Sequence, residues 1–178
     1  HPNTTPKTFD LAETLTRAGA NPTWLYDQIY DQNRLARMHL MGVVVWIGGM
    51  FFAHFALRPA AQALPPAVRL PLLAATLSRF FVWAGVAVLA VLASGVWLSE
   101  AMGGFRTAGA AIHAMTAIGL VMALVYAYIV TGPYRRLKAA VADARWEAAA
   151  PAMAVIRRLV GLNLALGLVT IAVAVLGG

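Results

Sequence analysis

The chain has 178 residues, of which 61% are hydrophobic and only 12% are charged, and its mean hydropathy is +0.71. A typical soluble domain is about 45–50% apolar and about 25% charged, so this composition excludes an ordinary soluble protein. The net charge of +7 comes from basic residues that flank apolar runs, which argues against nucleic-acid binding. The absence of cysteine excludes disulfides, zinc–thiolate sites, iron–sulfur clusters and thiol catalysis.

The first 37 residues are polar and predict an amphipathic extension outside the membrane. Thr8 opens a short helical pattern that Gly19 closes. Asn21-Pro22 then predicts a second helix, because asparagine caps helices and proline is favoured at their first position. This second helix leads into the first apolar run.

Four apolar runs follow, and each is long enough to cross a hydrocarbon core of about 30 Å as a helix. They cover residues 39–57, 80–98, 107–131 and 159–177. The runs lack the ten-residue alternation of a membrane barrel. The sequence therefore predicts an all-α integral membrane protein, with a four-helix bundle over residues 38–178.

The connections between the runs are predicted to be partly helical. Val68–Ser78 is expected to form a short surface helix, and Tyr134–Glu147 a charged extension of the third span. Pro151 is expected to restart a helix that becomes the fourth span.

Lysine and arginine counts predict the orientation, because cytoplasmic loops carry an excess of both. The N-terminal segment and the second connection hold five: Lys7, Arg17, Arg34, Arg37 and Arg106. The first and third connections with their flanks hold nine: Arg58, Arg69, Arg79, Arg135, Arg136, Lys138, Arg145, Arg157 and Arg158. We therefore expect a bacterial inner-membrane protein with both termini outside.

Histidines are the ionisable residues well inside the spans, and such residues call for a functional hypothesis. His39 begins the first span, and His113 lies about two turns into the third, which runs in the same direction. Two imidazoles at similar depth could ligate a b-type haem, which a helix bundle can hold. A histidine near a helix end can equally satisfy one hydrogen bond at the headgroup level.

The neighbours of these histidines suit a flat ring. Gly42 and Trp46 share the helix face of His39, and Ala117 lies one turn after His113. Arg34, Arg37 and Arg106 lie near the outer surface, where guanidinium groups could pair with haem propionates. The arginines could also be interfacial anchors, and Gly42 could simply allow two helices to approach.

A second polar group is predicted near the opposite face of the membrane. His54, Tyr128 and Asn163 lie at similar depths on three different spans. They could form a hydrogen-bonded contact between helices, a quinone pocket, a proton path or a haem site with one histidine ligand.

Copper is the alternative metal, because imidazole and thioether ligands suit Cu(I). Met38, Met41 and Met115 flank the two outer histidines, and Met50 lies one turn before His54. Methionine is also a common filler of apolar helices, and the chain has no dense cluster of this residue.

Two stretches resemble known membrane families. The stretch from His39 through Trp46-Ile47-Gly48-Gly49 to Leu57-Arg58-Pro59 resembles the first helix of CopD-type membrane domains, which carries a histidine, Trp-x-Gly-Gly and an Arg-Pro exit. The stretch from Ile112-His113-Ala114 to Pro133-Tyr134-Arg135-Arg136-Leu137 resembles a later helix of the same domains. The resemblance covers roughly residues 35–178.

The chain is also similar to HemJ-type membrane protoporphyrinogen oxidases. Those proteins show His-x-Lys and a late Tyr-His, where this chain has Met115 and Val125-Tyr126-Ala127-Tyr128, so protoporphyrinogen oxidation is not expected. The HemJ resemblance implies haem b at His39, and the CopD resemblance implies copper handling.

Three functions are therefore expected from the sequence. The first is a haem b protein of electron transfer or membrane redox chemistry, ligated by His39 and His113 and working with a quinone or a redox partner protein. The second is copper transport or resistance. The third is a cofactor-free subunit of a larger membrane complex, docked through the N-terminal extension.

Overall fold

The computed structural model describes residues 16, 19, 22–101 and 103–176, with the backbone alone at 22–29. In this part of the chain helices follow one another from Pro22 to Leu176, which confirms the all-α prediction. They are α1 (Pro22–Phe52), a π-helical turn (Ala53–Leu57), α2 (Arg58–Gln62), α3 (Pro66–Ala101), α4 (Ala110–Thr131), α5 (Pro133–Ala142) and α6 (Trp146–Leu176).

Joined end to end, these helices form four stretches that are long and apolar enough to cross a membrane. They run over Tyr30–Gln62, Pro66–Ala101, Ala110–Ala142 and Trp146–Leu176 in the described residues, and each overlaps one predicted span. Each holds 31 to 36 residues, more than the roughly 20 that a bilayer core requires. The helices therefore extend beyond the hydrocarbon.

The prediction of a separate surface helix at Val68–Ser78 is wrong, because these residues form the first part of the continuous α3. Leu70, Leu73, Ala74 and Leu77 are buried at helical spacing, so this segment packs on the same face as the span that follows. Pro71 lies inside this helix. Packing of the buried face therefore keeps the helix continuous through this proline.

The connection between the third and fourth spans also differs from the prediction. Helix α5 ends at Ala142 rather than at Glu147, and α6 begins at Trp146 rather than at Pro151. Ala144 lies between them at a φ of +52°. The early start of α6 is explained by Ala149, whose side chain is completely buried before the proline.

Helix α1 begins at Pro22, as the Asn21-Pro22 pair predicts. It runs through residue 37 into the first span without a break, so the predicted extension and the first span share one helix. Of the pattern from Thr8 to Gly19, all but residues 16 and 19 lies outside the described residues, and Gly19 occupies a turn at a φ of +75°.

The π-helical turn has an identifiable cause in the proline that follows it. Pro59 has no N–H, and in an α-helix its ring would clash with the carbonyl of Phe55, four residues earlier. The chain widens instead, and the N–H of Arg58 bonds to the carbonyl of Ala53, five residues earlier. His54 lies within this widened turn.

The bundle has two distinct ends. The entry end holds the start of the first span and the connection at 103–109, where Gly103 and Gly104 adopt φ of +106° and +84°. The basic end holds α2 and α5, and the nine basic residues of the first and third connections lie in the helix halves nearest to it or, for Arg145, between α5 and α6.

Contacts between helices define the arrangement of the four spans. Helix α1 packs most extensively on α3, and α4 packs on α6. Helices α1 and α4 occupy diagonal corners, because no Cα of one lies within 8 Å of a Cα of the other among the described residues. Helices α3 and α6 therefore lie between them.

Small residues allow the helices to approach closely, as membrane bundles require in the absence of a hydrophobic driving force between spans. A Cβ built on Gly42 of α1 would lie 2.7 Å from Cγ2 of Val91 and 3.2 Å from the carbonyl oxygen of Ala87. Trp46 and Met50 of α1 pack into a common core with residues of α3 to α6.

Candidate functional site

His39 lies partly buried between α1 and α3 near the entry end. Its Nδ1 is 3.0 Å from the hydroxyl oxygen of Ser94, which is 1% exposed. Its Cε1 would lie 3.5 Å from a Cβ on Gly95, so the imidazole packs against α3 at a position that has no side chain. His39 therefore has a defined place inside the helix pair.

The hydrogen bonds of Ser94 indicate which nitrogen of His39 carries the proton. The Ser94 hydroxyl donates to the carbonyl of Ala90, one turn earlier on α3. Since a hydroxyl has one proton to donate, Nδ1–H of His39 donates to the serine oxygen. In the neutral ring, Nε2 then keeps its lone pair, which is the form that binds a metal.

His113 has a different environment. Its side chain is exposed, and Nδ1 lies 3.1 Å from the carbonyl oxygen of Gly109 in the preceding turn. Leu120, Leu124 and Tyr128 continue the same exposed face of α4. This face points away from the bundle.

The structure does not bring His39 and His113 together. Their helices occupy diagonal corners, with no Cα pair within 8 Å among the described residues, and each Nδ1 has a partner that is unrelated to the other histidine. A haem between these two histidines stays a prediction that no described contact supports. His39 is the imidazole that faces into the bundle at the entry end.

The other residues predicted around the haem also divide between interior and surface. Gly42 and Trp46 are buried on the inner side of α1. Ala117 and Arg106 are exposed, and Arg37 lies at a groove between α1 and α3. Gly42 and Trp46 therefore contribute to the packing of α1 on its neighbours.

His54 lines a cavity of about 40 Å³ at the basic end. Leu73 and Leu77 of α3 line it, together with Arg58, Met153 and Arg157. The His54 ring also packs on Gly161 of α6, where an added Cβ would lie 3.2 Å from Cε1. Nε of Arg58 is buried and has no hydrogen-bond partner among the described residues.

The predicted cluster of His54, Tyr128 and Asn163 does not form, because one of its residues faces outward and another lies in the core. Tyr128 is 57% exposed on the outer face of α4, and Asn163 is 2% exposed in the core. Nδ2 of Asn163 donates to the carbonyl of Met122 at 3.1 Å, so this amide links α6 to α4. No hydrogen bond joins the three residues to one another in the described part of the chain.

The structure adds residues that the sequence did not single out. Ser94 stands next to Gly95 in an apolar run, and a buried hydroxyl near mid-helix is the signal that could have drawn attention to it. Met153 and Arg157 join His54 only through the approach of α6. Among the described side chains of residues 30–101 and 103–176, no three His, Asp or Glu residues form a group that could hold a metal.

Comparison with known proteins places these helices in a family. The family model described as copper resistance protein D (CopD) matches residues 74–176, which is more than half of the chain. The chain belongs to the CopD family. Comparisons with curated proteins and with solved structures gave no match.

Membership in the CopD family confirms the resemblance seen in the sequence, and with its four apolar spans the chain is a multi-pass membrane protein. The matched region of this CopD protein begins within α3 and ends at the close of α6. It contains Ser94, His113 and Met153, whereas His39 and His54 precede it.

Proposed function

We propose that this CopD protein handles copper within the membrane and binds Cu(I) through Nε2 of His39. The observation that carries the proposal is the hydrogen bond from His39 to Ser94 in a chain of this family. Metal-binding histidines commonly donate their other ring N–H to a protein acceptor, which fixes the orientation of the ring. Ser94 supplies such an acceptor here.

The chain is chemically suited to Cu(I) rather than to harder metals. Cu(I) favours imidazole and thioether ligands, and the chain offers seven methionines without a cysteine. Carboxylate ligands, which suit Mg²⁺ or Ca²⁺, are absent from the described cavities. A soft, singly charged ion also loses less on leaving water for an apolar bundle than a divalent one.

His54 and Met153 provide a second position in the proposal. They line one cavity at the basic end, so an imidazole of the π-helical turn and a thioether of α6 lie at the same level. Met50 and Met122 lie buried in the core between the two ends. We propose that copper occupies the two histidine positions, with the entry end facing outside.

A b-type haem ligated by His39 and His113 is the competing hypothesis. It requires a second interior imidazole at the entry end, and the exposed position of His113 offers none within one copy of the chain. The copper hypothesis requires one interior imidazole at this end, which His39 supplies.

The test uses the purified chain in detergent, loaded anaerobically with Cu(I) and freed of unbound metal. We expect a colourless protein with up to two copper ions per chain, measured by mass spectrometry of the metal. His39→Ala should weaken one of the two sites by at least tenfold in competition with a Cu(I) chelator. His113→Ala should bind as the parent does.

The same preparation distinguishes the rivals. A Soret band with a reducible α-band that disappears in His113→Ala would reject copper and establish the haem. A colourless chain that binds no copper and copurifies with other subunits would instead support the accessory role. Unchanged copper binding in His39→Ala would show that His39 is not a copper ligand.

A further inference from the structure

A groove of about 450 Å³ runs between α1 and α3 from the entry end toward the middle of the bundle. Arg34, Arg37, Met41 and Val45 line it from α1, and Trp83 and Val86 line it from α3. Trp83 is 66% exposed and Met41 is 63% exposed, so the groove opens sideways on the surface that faces lipid. His39 lies outside this lining, on the inner side of α1.

Charge in the groove is confined to one end. Arg34 and Arg37 lie three residues apart and so share one helix face, while the lining below them is apolar. No acidic side chain lines the groove, and neither arginine makes an ion pair in the described part of the chain. Arg34 lies against the Tyr30 ring, with its guanidinium carbon 5.8 Å from the ring centroid.

The length of the groove matches one leaflet of a bilayer. Val45 follows Arg34 by eleven residues, which is about 16 Å along a helix at about 1.5 Å per residue. Half of the hydrocarbon core is about 15 Å. A ligand with its charged group at the arginines would therefore end its apolar part near the bilayer centre.

We propose that this groove is a binding site for an anionic phospholipid, with the phosphate at Arg34 and Arg37 and one acyl chain lying along Met41, Val45 and Trp83. Guanidinium groups bind phosphate oxygens in a bidentate manner, which favours arginine over lysine at such a site. Basic pockets between membrane helices are known to select anionic headgroups. The apolar walls supply the contacts that the chain of the lipid needs.

The site should prefer an anionic headgroup to a zwitterionic one. Two unpaired guanidinium groups attract the net negative charge of phosphatidylglycerol, whereas the ammonium of phosphatidylcholine would lie beside them and oppose binding. Since each basic side chain near an anionic surface contributes a several-fold preference, we expect roughly a tenfold selection.

The experiment is native mass spectrometry of the full chain, without added copper, after exposure in detergent to equal amounts of phosphatidylglycerol and phosphatidylcholine with the same acyl chains. The parent should retain phosphatidylglycerol about tenfold more often. The double variant Arg34→Gln/Arg37→Gln should lose this preference and retain both lipids alike. Ala90→Phe, which fills the apolar part of the groove, should reduce retention of both.

The matched control is Arg135→Gln/Arg136→Gln, which removes the same charge from exposed positions at the basic end. It should keep the parent's preference. Equal loss in this control would show that overall charge selects the lipid, and unchanged retention in Ala90→Phe would show that the acyl chain lies elsewhere. Either result overturns the proposal, as does a parent that retains a quinone, a haem or no lipid.

Circular dichroism and a monodisperse elution profile establish that each variant is folded. If the double variant aggregates, the single variants Arg34→Gln and Arg37→Gln decide. Each should then lose part of the preference, and a full preference in both would reject the site. The outcome is independent of copper binding, because every measurement uses the metal-free protein.

Discussion

At the scale of single residues, His39 and Ser94 join α1 to α3 through a hydrogen bond between their side chains. The serine oxygen accepts from the imidazole and donates to its own helix, so both partners are held by the backbone of α3. An imidazole fixed in this way needs no rearrangement before it binds a metal. His113, bonded only to its own helix, lacks such a support.

Ser94→Ala tests the importance of this support. The variant removes the acceptor of Nδ1–H but leaves Nε2 in place, so Cu(I) should still bind with an affinity about 10- to 100-fold lower. Competition with a Cu(I) chelator measures the change. Ser99→Ala is the matched control, because the Ser99 hydroxyl is also buried in α3 but donates only to the carbonyl of Gly95.

A loss of affinity in Ser99→Ala as large as in Ser94→Ala would show that any buried hydroxyl of α3 matters, and that the contact with His39 is not the cause. Full affinity in Ser94→Ala would show that the hydrogen bond only satisfies the ring.

At the scale of helices, the crossing of α1 and α3 depends on one glycine. Gly42 lies where a side chain would meet the stiff, β-branched Val91 and the backbone of Ala87. Gly48, two turns further along the same helix, has nothing within 4 Å of an added Cβ. The two glycines lie in the same helix but differ in packing: Gly42 faces α3 closely, and Gly48 faces open space.

Gly42→Ala should therefore destabilise the bundle by about 1–3 kcal/mol, as overpacking does in other interiors. Gly48→Ala should leave stability unchanged or raise it by up to about 1 kcal/mol, because alanine favours the helix. Thermal unfolding in one detergent compares the two. Equal effects of the two substitutions would mean that α1 and α3 do not meet closely at Gly42.

The spans themselves could be predicted from the sequence, because hydropathy alone determines which segments leave water. The boundaries of helices outside the membrane could not. The sequence predicts a helix start at Pro151 and a surface helix at Val68–Ser78 apart from the second span, yet α6 begins before this proline and α3 is continuous. Ala149 and Leu70 are buried, so packing against neighbouring helices extends both. Tertiary packing therefore decides where these helices begin.

The candidate site was predictable only in part, and the reason is rotation about the helix axis. Depth along the membrane places His39 and His113 at one level, but depth says nothing of the direction in which each ring points. The hydropathy of α4 is nearly uniform around its circumference, so no polar stripe marks its inner face. Ser94 and Met153 become partners of the histidines only through contacts between helices.

At the scale of the whole molecule, the distribution of charge predicts an orientation that labelling can test. The basic end carries nine basic residues, and such an end is expected in the cytoplasm. The proposed copper site at His39 would then lie toward the outer face of the membrane.

The natural absence of cysteine makes the orientation easy to measure. We expect Thr107→Cys, in the connection at the entry end, to react with a membrane-impermeant maleimide in intact cells. Lys138→Cys, on the exposed side of α5, should react only after the membrane is permeabilised. The reverse pattern would place the basic end outside and the His39 site toward the cytoplasm.

The diagonal placement of α1 and α4 has a thermodynamic consequence that a double-mutant cycle can read. The changes in unfolding free energy caused by His39→Ala and His113→Ala should add within about 0.3–0.5 kcal/mol, since the two side chains have unrelated partners and their helices have no Cα pair within 8 Å in the described residues. His39→Ala and Ser94→Ala should instead show a coupling energy above that range. A coupling energy of that size between His39 and His113 would instead indicate that both imidazoles ligate one haem iron.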